Sequence, residues 1–336
     1  MSSDPQAIDL AALGWDAEWA AAFAALAADG SIPARVARVD RGACNAMAFD
    51  GMRRVQLHPR TEWPVTGDWI ALRAPDPESP DADTTGFDQI DVVLPRRSGL
   101  QRMDADERRA QVVAANIDVV MAVLPLDRPF KAGLRDRLMI LAAEAGARPI
   151  VIRSKADLAD AKTLADAELQ GAHPPEQLIV SAIRGDHVDD VQRLIDAGQT
   201  AVMLGPSGAG KSTLANALVG EDVQSTGAVR EGDSKGRHTT TSRDLLILPS
   251  GGVLIDTPGV RAVGLWEAAD GIEEYFDDIS ELAAHCRFND CAHDSEPGCA
   301  VQAAIAEGDL DAERVERWRA LVTEASAATH RRKGRR

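Results

Sequence analysis

Gly205-Pro206-Ser207-Gly208-Ala209-Gly210-Lys211-Ser212-Thr213 is the stretch that decides the fold of this chain. Gly205 to Ser212 fit the phosphate-loop pattern GxxxxGK[ST]. The run follows apolar Ala201-Val202-Met203-Leu204 and precedes a helical pattern from Leu214 to Val219. Strand, glycine loop and helix in that order are the context the motif requires. Backbone N–H groups of such a loop and of the helix N-terminus cradle phosphates, and Lys211 neutralises their charge. The Ser212 hydroxyl is placed to hold Mg²⁺. A bound nucleoside triphosphate is therefore expected along Gly205–Thr213.

Working outward, strand and helix patterns alternate from about residue 112. Strands are expected at Ile117 to Leu124, Pro149 to Ile152, Leu178 to Val180, Asp244 to Leu248 and Gly252 to Ile255. Helices are expected at Lys131 to Ala145, Ala156 to Leu169 and His187 to Ala197. This is the signature of an α/β domain with a mostly parallel sheet. Asp256-Thr257-Pro258-Gly259 closes the last strand. There a carboxylate meets the Mg²⁺ shell and the Gly259 N–H senses the γ-phosphate.

Two short motifs address the base. Ser154-Lys155-Ala156-Asp157 resembles the guanine-reading motif of GTPases, Asn/Thr-Lys-x-Asp, with serine in place of the usual asparagine. Asp157 would accept hydrogen bonds from the guanine N1–H and 2-amino group, and Lys155 would pack over the base. The wrong base leaves a buried carboxylate unpaired, which gives strong discrimination. A Ser-Lys-x-Asp helix start is also a simple N-cap. Ser181-Ala182 resembles the loop that supports guanine O6 through a backbone N–H. These base motifs precede the phosphate motifs, the reverse of an ordinary GTPase. A circular permutation explains the order, because domain termini are often close in space.

At the C-terminal side, Cys286-x₄-Cys291-x-His293-x₅-Cys299 offers three thiols and an imidazole, a donor set for one tetrahedral, structural Zn²⁺. Disulfides are the competing reading, but a reducing cytoplasm and three local cysteines disfavour them. Cys44 reads as a buried apolar residue. On the N-terminal side, Leu13, Trp15, Trp19 and Phe23 among alanines suggest a helical lead-in. Short alternating stretches between residues 30 and 100 read as a small β-barrel or sandwich. Seven arginines there (Arg35, Arg38, Arg41, Arg53, Arg54, Arg60, Arg73) suit a phosphate track. A basic end, His330 to Arg336, closes a chain of net charge −16. No run of about 18 apolar residues occurs, so no membrane span is expected, and the N-terminus lacks a signal-peptide pattern. The expected location is the cytoplasm, with a monomer as the default.

Lys235-Gly236-Arg237-His238-Thr239-Thr240-Thr241 lies between the phosphate loop and Asp256. With it, the chain closely resembles the bacterial ribosome small-subunit-dependent GTPase A family. The likeness extends over nearly all of residues 30–300, including Pro64-Val65-Thr66-Gly67-Asp68-Trp69 and Leu94-Pro95-Arg96-Arg97-Ser98. It implies a helical extension (1–29), an OB-fold RNA-binding domain (30–110), a circularly permuted GTPase domain (111–270) and a mostly α zinc-binding domain with a basic tail (271–336). It further implies late maturation of the small ribosomal subunit, rRNA contact, and conversion of GTP to GDP stimulated by the subunit. Thr240 is the switch threonine the resemblance suggests for Mg²⁺, with Thr239 and Thr241 as rivals. Val260 stands where Ras-like enzymes place glutamine, so the water-orienting group comes from elsewhere. His238 is the family's candidate, and contact with RNA is its alternative role. A binding module released by hydrolysis, and a P-loop ATPase or kinase, are the other function classes. Asp157 discriminates against the last.

Overall fold

The computed structural model describes residues 7–40, 42–57, 62–73, 88–103, 110–129, 132–170, 176–220, 244–256 and 269–333. A short 3₁₀ turn leads into α1 (Ala17–Leu26), whose N-cap Asp16 accepts from Trp19 N–H at 2.9 Å. Five strands follow: β1 (Ile32–Asp40), β2 (Ala43–Ala48), β3 (Gly51–Gln56), β4 (Trp69–Arg73) and β5 (Asp88–Val93). They close into a barrel of order β1-β2-β3-β5-β4, antiparallel except for β3 against β5. Closure leaves no open sheet edge. Ala34, Val36, Cys44, Ala46, Ala48, Val55, Ile70 and Leu72 fill its core. Period-2 alternation of such residues puts one face of each strand inside.

Both motifs quoted from this region are architectural. Gly67 has φ +94°, and a Cβ there would lie 2.2 Å from the Ala115 carbonyl oxygen, so only glycine fits. Asp68 is fully buried and takes both Arg96 Nε and Nη2 at 2.8 Å. Burial pushes its carboxyl pKa up, against the pull of Arg96. Trp69, 1% exposed, sits in the second core with Leu13, Trp19, Leu94, Leu245 and Val253.

The expected arginine track is corrected in part. Arg35 is a buried structural cation, 2% exposed, and not a surface contact for phosphate. Arg38, Arg53, Arg54 and Arg73 are each ion-paired, with Asp40, Asp50, Asp40 and Asp91 respectively. Arg41 and Arg60 lie outside the described residues.

A two-stranded sheet, β6 (Gly99–Met103) with β7 (Ala110–Ala115), links the barrel to the second sheet. That sheet comprises β8 (Val119–Pro125), β9 (Arg148–Ser154), β10 (Gln177–Ile179), β11 (Thr200–Leu204), β12 (Asp244–Ile247) and β13 (Val253–Asp256). The order is β10-β9-β8-β11-β13-β12, parallel throughout except for β12. Its four inner strands, β9, β8, β11 and β13, are mostly buried and apolar, as a mostly parallel sheet requires. The accompanying helices are α2 (Ala132–Glu144), α3 (Ala161–Gln170), α4 (Val188–Arg193) and α5 (Lys211–Val219). The single helix expected over Ala156 to Leu169 is instead a 3₁₀ turn at Ala156–Leu158 followed by α3. Lys155 has φ +61°, which breaks helical geometry before the turn, and the Asp160 carboxylate restarts it by accepting from Thr163 N–H.

The C-terminal part is helical: α6 (Ala269–Tyr275), α7 (Asp277–Ala283), α8 (Ala300–Glu307) and α9 (Ala312–Lys333). Their core includes Phe276, Ile279, Val301, Val315 and Leu321, and Arg314 clamps Asp278 with two bonds of 2.8 Å. Two compact units result. One holds 1–101, 112–130 and 145–261; the other holds 102–111, 131–144 and 262–336. Barrel and sheet thus share one unit, while α2 belongs with the C-terminal helices. Among the described residues no helix is long and apolar enough to cross a membrane.

Candidate functional site

Five parallel strand ends create the site. The loops after β8, β9, β10 and β11, and the last residue of β13, all leave one edge of the sheet, where open α/β sheets bind ligands. After β11 the chain turns at Gly205, with φ +153°, where a Cβ would lie 2.2 Å from the Val123 carbonyl oxygen. Such close approach of loop to strand requires glycine. Gly210 caps α5 in the left-handed region, so α5 begins at Lys211 and its first N–H groups face the loop. Lys211 Nζ donates to the Gly205 and Pro206 carbonyls at 2.9 and 3.0 Å, which curls the loop around its ammonium. Burial draws the Lys211 pKa down, and the Asp256 carboxylate draws it back up. Ser207, Gly208, Ser212 and Thr213 are exposed, as groups that meet a ligand must be. Asp256, 6% exposed, ends β13 beside β11.

The base motifs join this loop directly. Ser154, at the end of β9, donates its hydroxyl to the Ala209 carbonyl at 2.6 Å, across 55 residues of sequence. It therefore acts as a tie between base motif and phosphate loop and does not cap a helix. Ala156 N–H bonds the Val180 carbonyl, and Ser181 Oγ donates to Asp157 Oδ1 at 2.7 Å. That bond fixes the orientation of the Asp157 carboxylate through Oδ1. Ser181 and Asp186 exchange backbone bonds and close the loop that carries Ala182. Lys155 lies along the loop beside Gly210 and pairs with Asp127 Oδ2 at 2.6 Å. Sequence reading missed Asp127. The usable signal was its position just after β8, between the two motif-bearing strands. His238, Thr240 and Gly259 lie outside the described residues.

The second cluster is Cys286, Cys291, His293 and Cys299, whose ligand atoms all lie within 4.8 Å of one another. Cys286 Sγ is 3.8 Å from Cys299 Sγ, and His293 Nδ1 is 3.4 and 3.6 Å from those sulfurs. With Zn–S of about 2.3 Å and Zn–N of about 2.0–2.1 Å, a tetrahedron has S–S edges of about 3.8 Å and S–N edges of about 3.6 Å. The donor set fits such an ion, and a disulfide would need its sulfurs at about 2.05 Å. Burial, then Arg319, lowers the His293 pKa, which favours the neutral ring that binds metal. Glu296 accepts from the N–H groups of Ala292, Asp294 and Ser295, folding the loop between ligands, and these bonds hold its pKa at about 2. Trp318 of α9 lies 5.4 Å from the His293 ring, and Gln302 Nε2 donates to the His293 carbonyl. This cluster can hold one metal ion.

Residues 93–266 match the model of the RsgA GTPase family. The small ribosomal subunit biogenesis GTPase RsgA of Streptomyces coelicolor is 45% identical, aligned over 94% of this chain and 86% of its own length. Its namesake from Opitutus terrae is 39% identical, over 96% and 91%. Among solved structures, YloQ, a circularly permuted GTPase, superposes with a TM-score of 0.64 at 20% identity, over 89% of this chain and 96% of its own. YjeQ from Thermotoga maritima gives 0.61 at 24%, over 86% and 96%. On fold, motif order and these likenesses together, the chain belongs to the RsgA GTPase family.

Proposed function

We propose that this GTPase acts in the cytoplasm on the small ribosomal subunit, as a late assembly factor that contacts rRNA and is stimulated by the subunit to convert GTP to GDP. The names of its relatives support the subunit as partner. The observation that carries the nucleotide reading is the bond from Ser154 to Ala209, which couples a carboxylate suited to guanine with a loop suited to phosphates. Asp157 selects guanine over adenine, and Lys155 and Ala182 frame the base. Gly205–Thr213 cradle the phosphates, with Lys211 set against the charge that develops on the leaving β-phosphate.

Mg²⁺ would be held by Ser212, Asp256 and Thr240 and would neutralise charge between the β- and γ-phosphates. His238 orients or deprotonates the attacking water, since Val260 provides no amide. Gly259 reports on the γ-phosphate. Zn²⁺ at Cys286, Cys291, His293 and Cys299 is structural, because four protein ligands leave no open position. Barrel and basic tail meet rRNA by shape and backbone contact, with exposed Phe49 and Trp63 as stacking candidates.

The test is hydrolysis of GTP and of ATP by the purified chain, each with and without small subunits. GTP-selective turnover that rises with the subunit is expected. GTP turnover indifferent to the subunit removes the ribosomal partner, and turnover of ATP alone removes the role given to Asp157. Subunit-stimulated turnover that survives His238→Ala removes the role given to His238.

A further inference from the structure

The loop after β8 carries a second group aimed at the phosphate loop. Arg128 Nη2 donates to the Ser207 carbonyl at 2.6 Å, across 79 residues of sequence. A Cβ on Gly208 would lie 3.1 Å from the same nitrogen and 3.7 and 3.8 Å from Nη1 and Cζ, so the guanidinium packs against the Ser207–Gly208 peptide. Its neighbour Asp127 holds Lys155, so one dipeptide touches both halves of the site. The Arg128 side chain is 48% exposed, and its one ion pair among the described residues, Nε to Asp127 Oδ1 at 3.9 Å, is too long to explain where it sits.

A trans peptide directs its C=O and N–H to opposite sides. Drawing the Ser207 carbonyl outward onto a cation turns the Gly208 N–H inward, to the concave side of the loop. A charge-assisted bond at the carbonyl also polarises that N–H into a stronger donor. We propose that Arg128 is a positioning residue for phosphate binding, which sets the Ser207–Gly208 peptide so that the Gly208 N–H faces the phosphates. It acts through the loop and touches no substrate atom. The inference rests on the reading that Gly205–Thr213 hold the phosphates.

The experiment compares Arg128→Ala, Arg128→Lys and Lys211→Ala with the parent chain. Fluorescent GDP is titrated, with GTP and GMP as competitors, at low salt and at about 0.5 M salt. Arg128→Ala is expected to weaken GDP and GTP by about ten-fold, as loss of one charge-assisted bond should, while GMP changes less than about two-fold. Arg128→Lys recovers part of the loss, and unfolding temperatures stay together because the bond is exposed. Unchanged GDP and GTP affinity overturns the proposal. So does an equal loss for GMP, which would place the effect at Asp127 and Lys155. A loss that vanishes at high salt also overturns it, since a screened surface charge then accounts for everything. Undiminished GTP binding by Lys211→Ala would instead overturn the phosphate-site reading.

Discussion

Arg35→Met should destabilise the barrel-and-sheet unit by about 3–5 kcal/mol. The guanidinium donates to the carbonyls of Leu13, Gly67 and Asn116 and to Thr200 Oγ1, the last at 2.8 Å, and it lies 5.4 Å from the Trp69 ring centre. Among the described residues no carboxylate bonds it. Burial pulls its pKa down to about 10, opposed by Asp118 and Asp68, so it stays charged at neutral pH. Methionine fills much of the volume but removes a donor from four oxygens, of which the Gly67 carbonyl keeps Asn116 Nδ2 at 3.0 Å. At roughly 1–3 kcal/mol for each of the three buried acceptors left unmade, the loss is about 3–9 kcal/mol. Relief of the buried charge returns several kcal/mol, which leaves the net figure above.

The assay is thermal unfolding followed by tryptophan emission. Trp15 and Trp19 lie 4.7 and 6.2 Å from Trp69, so three indoles report on this pocket. Phenylalanine at Trp63, Trp266 and Trp318 in parent and variant alike leaves these three as the remaining tryptophans. A drop of roughly 6–20 °C is expected, taking about 2–4 °C per kcal/mol for a unit of this size. Arg35→Lys should fall between, because one ammonium cannot span acceptors arranged for a fork. Thr200→Val should cost less and should be less than additive with Arg35→Met. A melting point within about 2 °C of the parent would refute the reasoning: the guanidinium would then contribute no net stability.

Three further expectations concern other parts of the chain. Ser181→Ala frees the Asp157 carboxylate, so the preference for GTP over ATP in competition binding should fall by about ten-fold, with unfolding nearly unchanged. Metal analysis should find one zinc per chain, and Cys299→Ser or His293→Ala should abolish it and lower the unfolding temperature of the C-terminal unit. Asp16 is held at about 2 first by Arg97, and a lowered carboxyl pKa means stability present above its ordinary value near 3.8 and lost as pH falls towards 2. The gap in urea midpoint between parent and Asp16→Asn should therefore be constant from pH 7 to about 4 and close below it.

What the sequence made legible was local. The run Ala201–Thr213 announces strand, loop and helix through its own spacing, and the structure has β11 and α5 there. Cys286, Cys291, His293 and Cys299 lie within 14 positions of one another, so their cluster was visible too. β2 carries no strand signal of its own because Ala43–Ala48 contains no β-branched or aromatic residue, and its pairing with β1 and β3 supplies what propensity lacks. The role of Arg35 was hidden because charge in a sequence carries no sign of burial. Ser154 looked like a weakened asparagine or a cap, and its true partner lies in another motif. Asp127 and Arg128 belong to no motif, and their one signal is a position just after β8, from which the parallel sheet brings them to residues 28 and 79 positions away.

The same sheet explains why motif order does not matter to the site. Loops that leave one edge of parallel strands meet whatever their order along the chain, and bonds such as Ser154 to Ala209 lock them together. The opposite end of β11 has a different duty. Thr200 begins that strand and binds Arg35 of β1, while Gly205 follows its last residue. About 3.3 Å per residue puts the barrel's anchor roughly 17 Å from the phosphate loop along one fully buried strand. A close-packed strand transmits displacement and absorbs little of it. Any shift that nucleotide imposes on Gly205 must therefore move Thr200, and with it Arg35 and the barrel, or be taken up in the loop itself. Arg128 braces the Ser207–Gly208 peptide and Lys211 the carbonyls of Gly205 and Pro206, which leaves the loop little room to take it up. The barrel and the phosphate loop should accordingly respond to nucleotide as one body.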